Sequence, residues 1–85
     1  MITLNSCPDK TYFSVEELWF HYDERAVFER DGLIEGTIIY VVDKIDEDVI
    51  IEVEDKPIKL THEQANEVYG EVYIDKKQNG KLKRR

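Results

Sequence analysis

The chain is poor in the residues on which several classes of protein depend. Its 85 residues include one cysteine, two prolines and four glycines. A single cysteine cannot form an internal disulfide, and four scattered glycines do not make a phosphate-binding loop. No apolar run approaches the ~20 residues that a membrane-spanning helix needs, and the first residues predict no signal peptide. We therefore expect one small cytoplasmic domain without disulfides or membrane segments.

Residues for catalysis and metal binding are also scarce. His21, His62 and Cys7 lie far apart in the sequence, without the spacing of a zinc site or of a Cys–His nucleophile. The acidic segment 43–48 matches a calcium-binding loop only in part, because Ile45 stands where an EF-hand needs an oxygen ligand. The sequence therefore predicts no enzyme activity, no metal site and no cofactor.

Charge, in contrast, is abundant and unevenly placed. Residues 1–75 carry 19 acidic residues against 6 basic ones, a net charge of −13, whereas residues 76–85 carry 6 bases and no acid. Apolar residues make up 41% of the chain, and their clustering in short runs argues against disorder in the acidic part. We predict an acidic globular domain over residues 1–75, followed by a flexible basic tail over residues 76–85.

The first long element is predicted as a helix over residues 15–30. Ser14 and Glu17 have the spacing of a capping box, and Gly32 suits a left-handed helix terminator. Between these signals, apolar residues recur at the spacing of one helical face: Val15, Leu18, Trp19, Tyr22 and Ala26. An alternative interpretation divides the segment into two strands, 18–22 and 26–29.

The helical interpretation also divides the aromatic residues. Trp19 and Tyr22 lie on the apolar stripe, so we expect them in the core. Phe20 and Phe28 lie off that stripe and could form an exposed patch among carboxylates, which is the composition of an anchor for a protein partner.

A β-hairpin over residues 36–43 and 48–55 is the clearest element. Residues 37–42 are mostly β-branched, and residues 49–54 come to alternate between inward apolar and outward acidic positions. Parity predicts that Tyr40 and Val42 face odd-numbered partners in the second strand. A four-residue loop is favoured over a two-residue loop, because the turn contains no Gly or Asn for a primed turn.

The remaining elements are short. A strand is predicted over residues 57–60, at a sheet edge because Pro57 cannot donate a ladder hydrogen bond. Thr61 and Gln64 form a second capping box, which predicts a helix over 62–69 that ends at Gly70. Further strands are predicted over 2–4 and 71–75.

Together these elements predict an α+β fold with a small antiparallel sheet and two helices. If the first helix were instead a hairpin, the element order would resemble an SH3-like small β-barrel with one short helix.

The function predicted from these features is that of a small non-enzymatic interaction protein. Its acidic surface would bind a basic site on a larger protein. The protein would act as an inhibitor or regulator that imitates nucleic-acid charge, in the manner of small acidic phage proteins. The predicted contact residues are the carboxylates of the hairpin turn and its outer face: Asp43, Asp46, Glu47, Asp48, Glu52 and Glu54.

Two alternatives remain open. In the first, the chain is a nucleic-acid-associated accessory protein that contacts phosphate through the bases of its tail: Lys76, Lys77, Lys81, Lys83, Arg84 and Arg85. In the second, it is a structural subunit of an assembly. No pattern in the sequence predicts an oligomeric state.

Overall fold

Six strands and two short helices make up the part of the chain that the structure describes. The structure is a computed structural model and describes residues 1–74. The elements, in chain order, are β1 (Ile2–Thr3), β2 (Thr11–Leu18), α1 (Tyr22–Arg30), β3 (Ile38–Ile45), β4 (Asp48–Val53), β5 (Lys56–Leu60), α2 (His62–Ala65) and β6 (Val68–Tyr73), with a turn of 3₁₀ helix at Leu4–Ser6. The predicted α+β class with a small antiparallel sheet is confirmed. The predicted tail, 76–85, lies outside the described residues.

The strands form one antiparallel sheet in the order β1-β6-β2-β3-β4-β5. One face of the sheet is buried, and its side chains form the core with residues from the connecting segments and α2. The largest side chains that are fully buried are Phe13, Leu4, Leu33, Ile39, Ile51 and Leu60. At about 1.5–3 kcal/mol for each large apolar side chain, burial on this face is the main source of stability.

The predicted helix over 15–30 is wrong in its first half. Residues 11–18 form strand β2, and the helix begins only at Tyr22. Ser14 therefore caps no helix, because it lies inside β2, opposite Ile38 of β3 and Glu71 of β6. The alternative with strands over 18–22 and 26–29 is wrong as well, since residues 22–30 are helical.

A β-bulge explains why the strand looked helical in sequence. The register between β2 and β6 shifts between Val15 and Glu17, so β2 contains one extra residue there. Phe13, Val15 and Leu18 all point inward, and the bulge lengthens the last interval from two residues to three. A three-residue interval between apolar residues is also the signature of a helix, which is why the pattern misled.

The aromatic residues around α1 are placed opposite to the prediction. Phe20 and Phe28 are buried, with their ring centroids 4.7 Å apart. Trp19 and Tyr22, which were expected in the core, are 63% and 88% exposed. Helix α1 starts seven residues later than the predicted helix, at Tyr22, so the face that it turns inward carries Phe28 instead.

The end of α1 follows the prediction. Gly32 adopts a left-handed φ of 98°, and its N–H donates to the carbonyl of Glu29, while the N–H of Leu33 donates to the carbonyl of Phe28. These two bonds form a Schellman motif, which satisfies carbonyls that the helix end would otherwise leave free. The motif also places the fully buried Leu33 against the core.

The central hairpin is confirmed, but its turn and register differ from the prediction. Strands β3 and β4 are joined by the two-residue loop Asp46-Glu47, in which Asp46 takes a φ of 56° in place of a glycine. The register then shifts at a second bulge between Val41 and Asp43, so Tyr40 lies opposite Glu52. A bulge reverses the parity of all residues beyond it, which the parity argument did not include.

The last elements are partly as predicted. Strand β5 lies at the edge of the sheet and contains Pro57, as expected of an edge strand, and the capping box of Thr61 and Gln64 is present. Helix α2 is shorter than predicted, and Gly70 does not terminate it. Gly70 lies within β6 opposite Val15, where an added Cβ would lie 1.9 Å from the carbonyl oxygen of Ser14.

This contact predicts that Gly70→Ala is strongly destabilising. The methyl group would have to displace the backbone of β2, so we expect a loss of about 3 kcal/mol or a failure to fold. Gly36→Ala is the control, because nothing lies within 4 Å of its added Cβ and only its φ of 94° is unfavourable. We expect it to cost about 1 kcal/mol in urea unfolding. Equal costs for the two substitutions would contradict the close approach of β2 and β6.

The positions of the aromatic residues give a second prediction. Phe28→Ala should lower the free energy of unfolding by about 3 kcal/mol, because it empties a buried ring site. Tyr22→Ala should change it by at most about 0.5 kcal/mol, because that side chain is exposed. Urea denaturation of both variants measures the difference. A larger loss of unfolding free energy from Tyr22→Ala than from Phe28→Ala would instead support the predicted helix over residues 15–30.

Candidate protein-docking face

The outward surface of the sheet, on the side opposite the core, is the candidate functional site. We call it the outer sheet face. It is formed by the residues of β2, β3, β4 and β6 that alternate with the buried ones, together with Trp19: Tyr12, Ser14, Glu17, Ile38, Tyr40, Glu52, Tyr69, Glu71 and Tyr73. Alternation follows from the two-residue period of a strand, so the residues that build the core also fix which side chains face outward.

Three tyrosines form a row across the centre of this face. Tyr12 of β2 lies between Tyr40 of β3 and Tyr73 of β6 in the strand register. The ring centroids of Tyr12 and Tyr40 are 4.8 Å apart with a tilted arrangement. Tyr12 and Tyr73 are 51% and 37% exposed, and the neighbouring Ile38 is 42% exposed. The row therefore presents apolar surface to solvent instead of to the core.

A second aromatic pair lies on the same face, near the start of β6. The rings of Trp19 and Tyr69 are 5.8 Å apart, and the indole N–H of Trp19 donates to Glu17 at 2.9 Å. Tyr73 lies four positions after Tyr69 in β6, which is about 13 Å along the strand. Glu71 projects from the same face midway between them. Aromatic and acidic side chains thus alternate along β6.

The hairpin geometry places the predicted acidic contact residues in three different regions. Asp43, Asp48 and Glu52 lie on the strands at outward positions, beside the tyrosine row. Asp46 and Glu47 form the β3–β4 turn. Glu54 lies in the β4–β5 turn, about 20 Å from Asp48 along β4.

Two side-chain networks hold α1 against the sheet and α2. Arg25 pairs with Glu29 at 2.9 Å and with Glu35 at 3.4 Å, and it donates to the carbonyl of Leu18 at the end of β2. Hydrogen bonding to Glu29 raises the pKa of Arg25 above its ordinary value; desolvation opposes the rise and Glu35 adds to it. The amide of Gln64 donates to Glu24 at 2.7 Å, which links α2 to α1.

Other residues considered in sequence do not converge on one site. Cys7 is fully buried, and burial raises the pKa of its thiol, an effect that Lys44 partly offsets. His21 precedes α1 and His62 begins α2, both exposed. Within residues 1–74, no group of three or more His, Cys, Asp or Glu side chains is arranged to hold a metal ion. The helices of this described part are also too short and polar to cross a membrane.

Comparison with known proteins identifies the fold. No protein-family model and no curated protein matches the chain. Among solved structures, the iron uptake regulatory protein FeoA superposes with a TM-score of 0.73 at 18% identity, over 85% of this chain and 96% of that protein. The fold is FeoA-like. This fold is SH3-like, which agrees with the alternative of an SH3-like small β-barrel, although two helices are present where that alternative had one.

Two further solved structures share the fold. A FeoA-like protein from Clostridium acetobutylicum superposes with a TM-score of 0.73 at 21% identity, over 87% of this chain and 88% of that protein. ScaR with bound Zn²⁺ superposes equally well at 25% identity, but the match covers 84% of this chain and only 36% of ScaR. The FeoA-like fold therefore occurs both as a whole small protein and as part of a longer one.

Sequence reasoning missed the tyrosine row for a definable reason. Residues 11–13 were given no element, so Tyr12 was placed on no strand. The parity argument paired Tyr40 with inward-facing residues of the second hairpin strand. The signal that could have found the row is the alternation of residues 11–15, in which Phe13 and Val15 are buried while Tyr12 and Ser14 face outward.

Proposed function

We propose that this chain is a non-enzymatic accessory or regulatory protein of iron uptake that acts in the cytoplasm by binding a protein partner. The proposal rests on the FeoA-like fold, which this chain shares with an iron uptake regulatory protein over nearly the whole of that protein. It agrees with the sequence-based expectation that the chain is not an enzyme.

A protein contact fits the observed surface better than direct handling of iron. Residues 1–74 do not assemble a cluster of metal ligands. They do present a broad outer sheet face with exposed aromatic rings at its centre and carboxylates around them. Aromatic anchors inside a polar rim are the usual composition of a binding surface, whereas monomeric proteins seldom expose large apolar patches.

The partner is proposed to present a basic surface to this face. Asp43, Asp48 and Glu52 extend the negative rim from the tyrosine row toward the hairpin turn, where Asp46 and Glu47 follow. Charge of one sign around an apolar centre favours association with an oppositely charged protein and opposes contact with nucleic-acid phosphate. Binding through the basic residues 76–85 stays a prediction that the described residues do not address.

The proposal is tested by iron accumulation in the cell that encodes the protein. Deletion of the gene should lower the uptake of ⁵⁵Fe²⁺ at limiting iron by about threefold or more, and the wild-type gene should restore it. The double variant Tyr12→Ala/Tyr73→Ala should not restore uptake, since it removes the exposed rings of the row. Tyr22→Ala is the matched control, because it removes an exposed tyrosine from α1 and should restore uptake fully.

The outcomes separate the two parts of the proposal. Unchanged uptake after deletion of the gene would exclude a role in iron uptake. If deletion lowers uptake and the Tyr12→Ala/Tyr73→Ala variant restores uptake completely, the role in iron uptake stands. The outer sheet face would then be excluded as the contact.

A further inference from the structure

We propose that the outer sheet face binds a segment of a protein partner that carries arginine between apolar side chains, with the guanidinium group placed at Glu71. This inference rests on the proposed function only in that the partner is a protein, and it names the chemistry that the face recognises.

The aromatic groups of the outer sheet face form two sites with a defined spacing. Tyr73 and Tyr12 form one apolar site, and Tyr69 and Trp19 form another about 13 Å away along β6. Rings at the ends of a face can bury apolar side chains of a ligand while their hydroxyl and indole N–H groups keep polar partners. Two such sites require a ligand with two apolar groups at a matching separation.

The charge between these two sites is negative. Glu71 lies midway, opposite Ser14 of β2, and Glu17 lies beside Tyr69. Among the outward-facing positions of the described strands, the one base is Lys59. It lies on the edge strand β5, beyond the outer sheet face, and is paired with Asp48 at 3.7 Å. No described base on this face therefore lies next to Glu71, and a cation of the ligand complements the charge there.

Arginine fits these sites better than lysine or a phosphate-bearing ligand does. A guanidinium is planar, stacks on aromatic rings and can bind a carboxylate with two hydrogen bonds at once. Glu71 lies between Tyr69 and Tyr73, so one guanidinium can bind the carboxylate and stack on a neighbouring ring. Phosphate groups would instead meet repulsion from Glu17, Glu71 and Glu52.

The edges of the sheet are the usual alternative docking sites, but both discourage strand addition here. One edge strand, β1, has two residues, and the other, β5, carries Pro57 between two lysines. Short strands, proline and lysine are the features by which proteins discourage strand addition. A partner of this part of the chain is therefore better accommodated on the face than at an edge.

The test uses the full chain and a fluorescein-labelled peptide, (Arg-Leu-Ser)₄, with fluorescence anisotropy as the readout. A second peptide, (Lys-Ser-Ser)₄, has the same charge but lacks the guanidinium and apolar groups. We expect the arginine peptide to bind at least about fivefold more tightly. Equal affinities would show that only net charge is recognised and would overturn the proposal.

Matched variants locate the contact. Glu71→Gln should weaken binding of the arginine peptide by about fivefold, whereas Glu63→Gln, which removes an exposed carboxylate from α2, should weaken it by less than twofold. Tyr73→Ala should weaken binding and Tyr22→Ala should not, although neither changes the charge. Circular dichroism of each variant verifies that the fold is kept.

Two further results would overturn the proposal. One is equal loss of affinity in the Glu71→Gln and Glu63→Gln variants. The other is binding of the arginine peptide only after the six bases of residues 76–85 are replaced by glutamine. The ligand of the face would then be this chain's own basic segment and not a segment of a partner. If the chain fails to bind the arginine peptide but still supports normal iron uptake, this inference is rejected and the proposed function stands.

Discussion

The rest of the structure depends on the close approach of β2 and β6 at Gly70. The backbone of Ser14 occupies the space that a side chain at this position would need, and the ring of Phe13 lies against the same point. Because β6 is the last described strand and pairs with both β1 and β2, this contact joins the N-terminal strand to the rest of the sheet. It also determines that Tyr12 and Tyr73 lie side by side on the outer sheet face.

The sequence predicted the elements whose pattern is regular and failed at the bulges. The strands of the central hairpin, the edge position of Pro57, the capping box of Thr61 and the terminator Gly32 were all predicted from local rules. The bulge after Val15 gave a strand the apolar spacing of a helix, and the bulge after Val41 reversed the parity of Tyr40. A bulge depends on the partner strand, so a local pattern cannot reveal it.

The candidate site could be predicted in charge but not in shape. The acidic side of the hairpin was identified, and Asp43, Asp48 and Glu52 lie on the outer sheet face. Its aromatic centre was missed, because Tyr12, Tyr40 and Tyr73 are far apart in sequence and meet only through the order of the strands. The proposed role, contact with a protein partner, would use this aromatic and acidic surface.

A NOESY spectrum of the protein in solution tests the strand pairing at Gly70, on which the outer sheet face depends. This pairing predicts NOEs between backbone protons of Val15 and Gly70, and between ring protons of Tyr12 and Tyr40. Helical i to i+3 NOEs that run through residues 15–21, with no contacts to β6, would contradict it. The tyrosine row would then not exist.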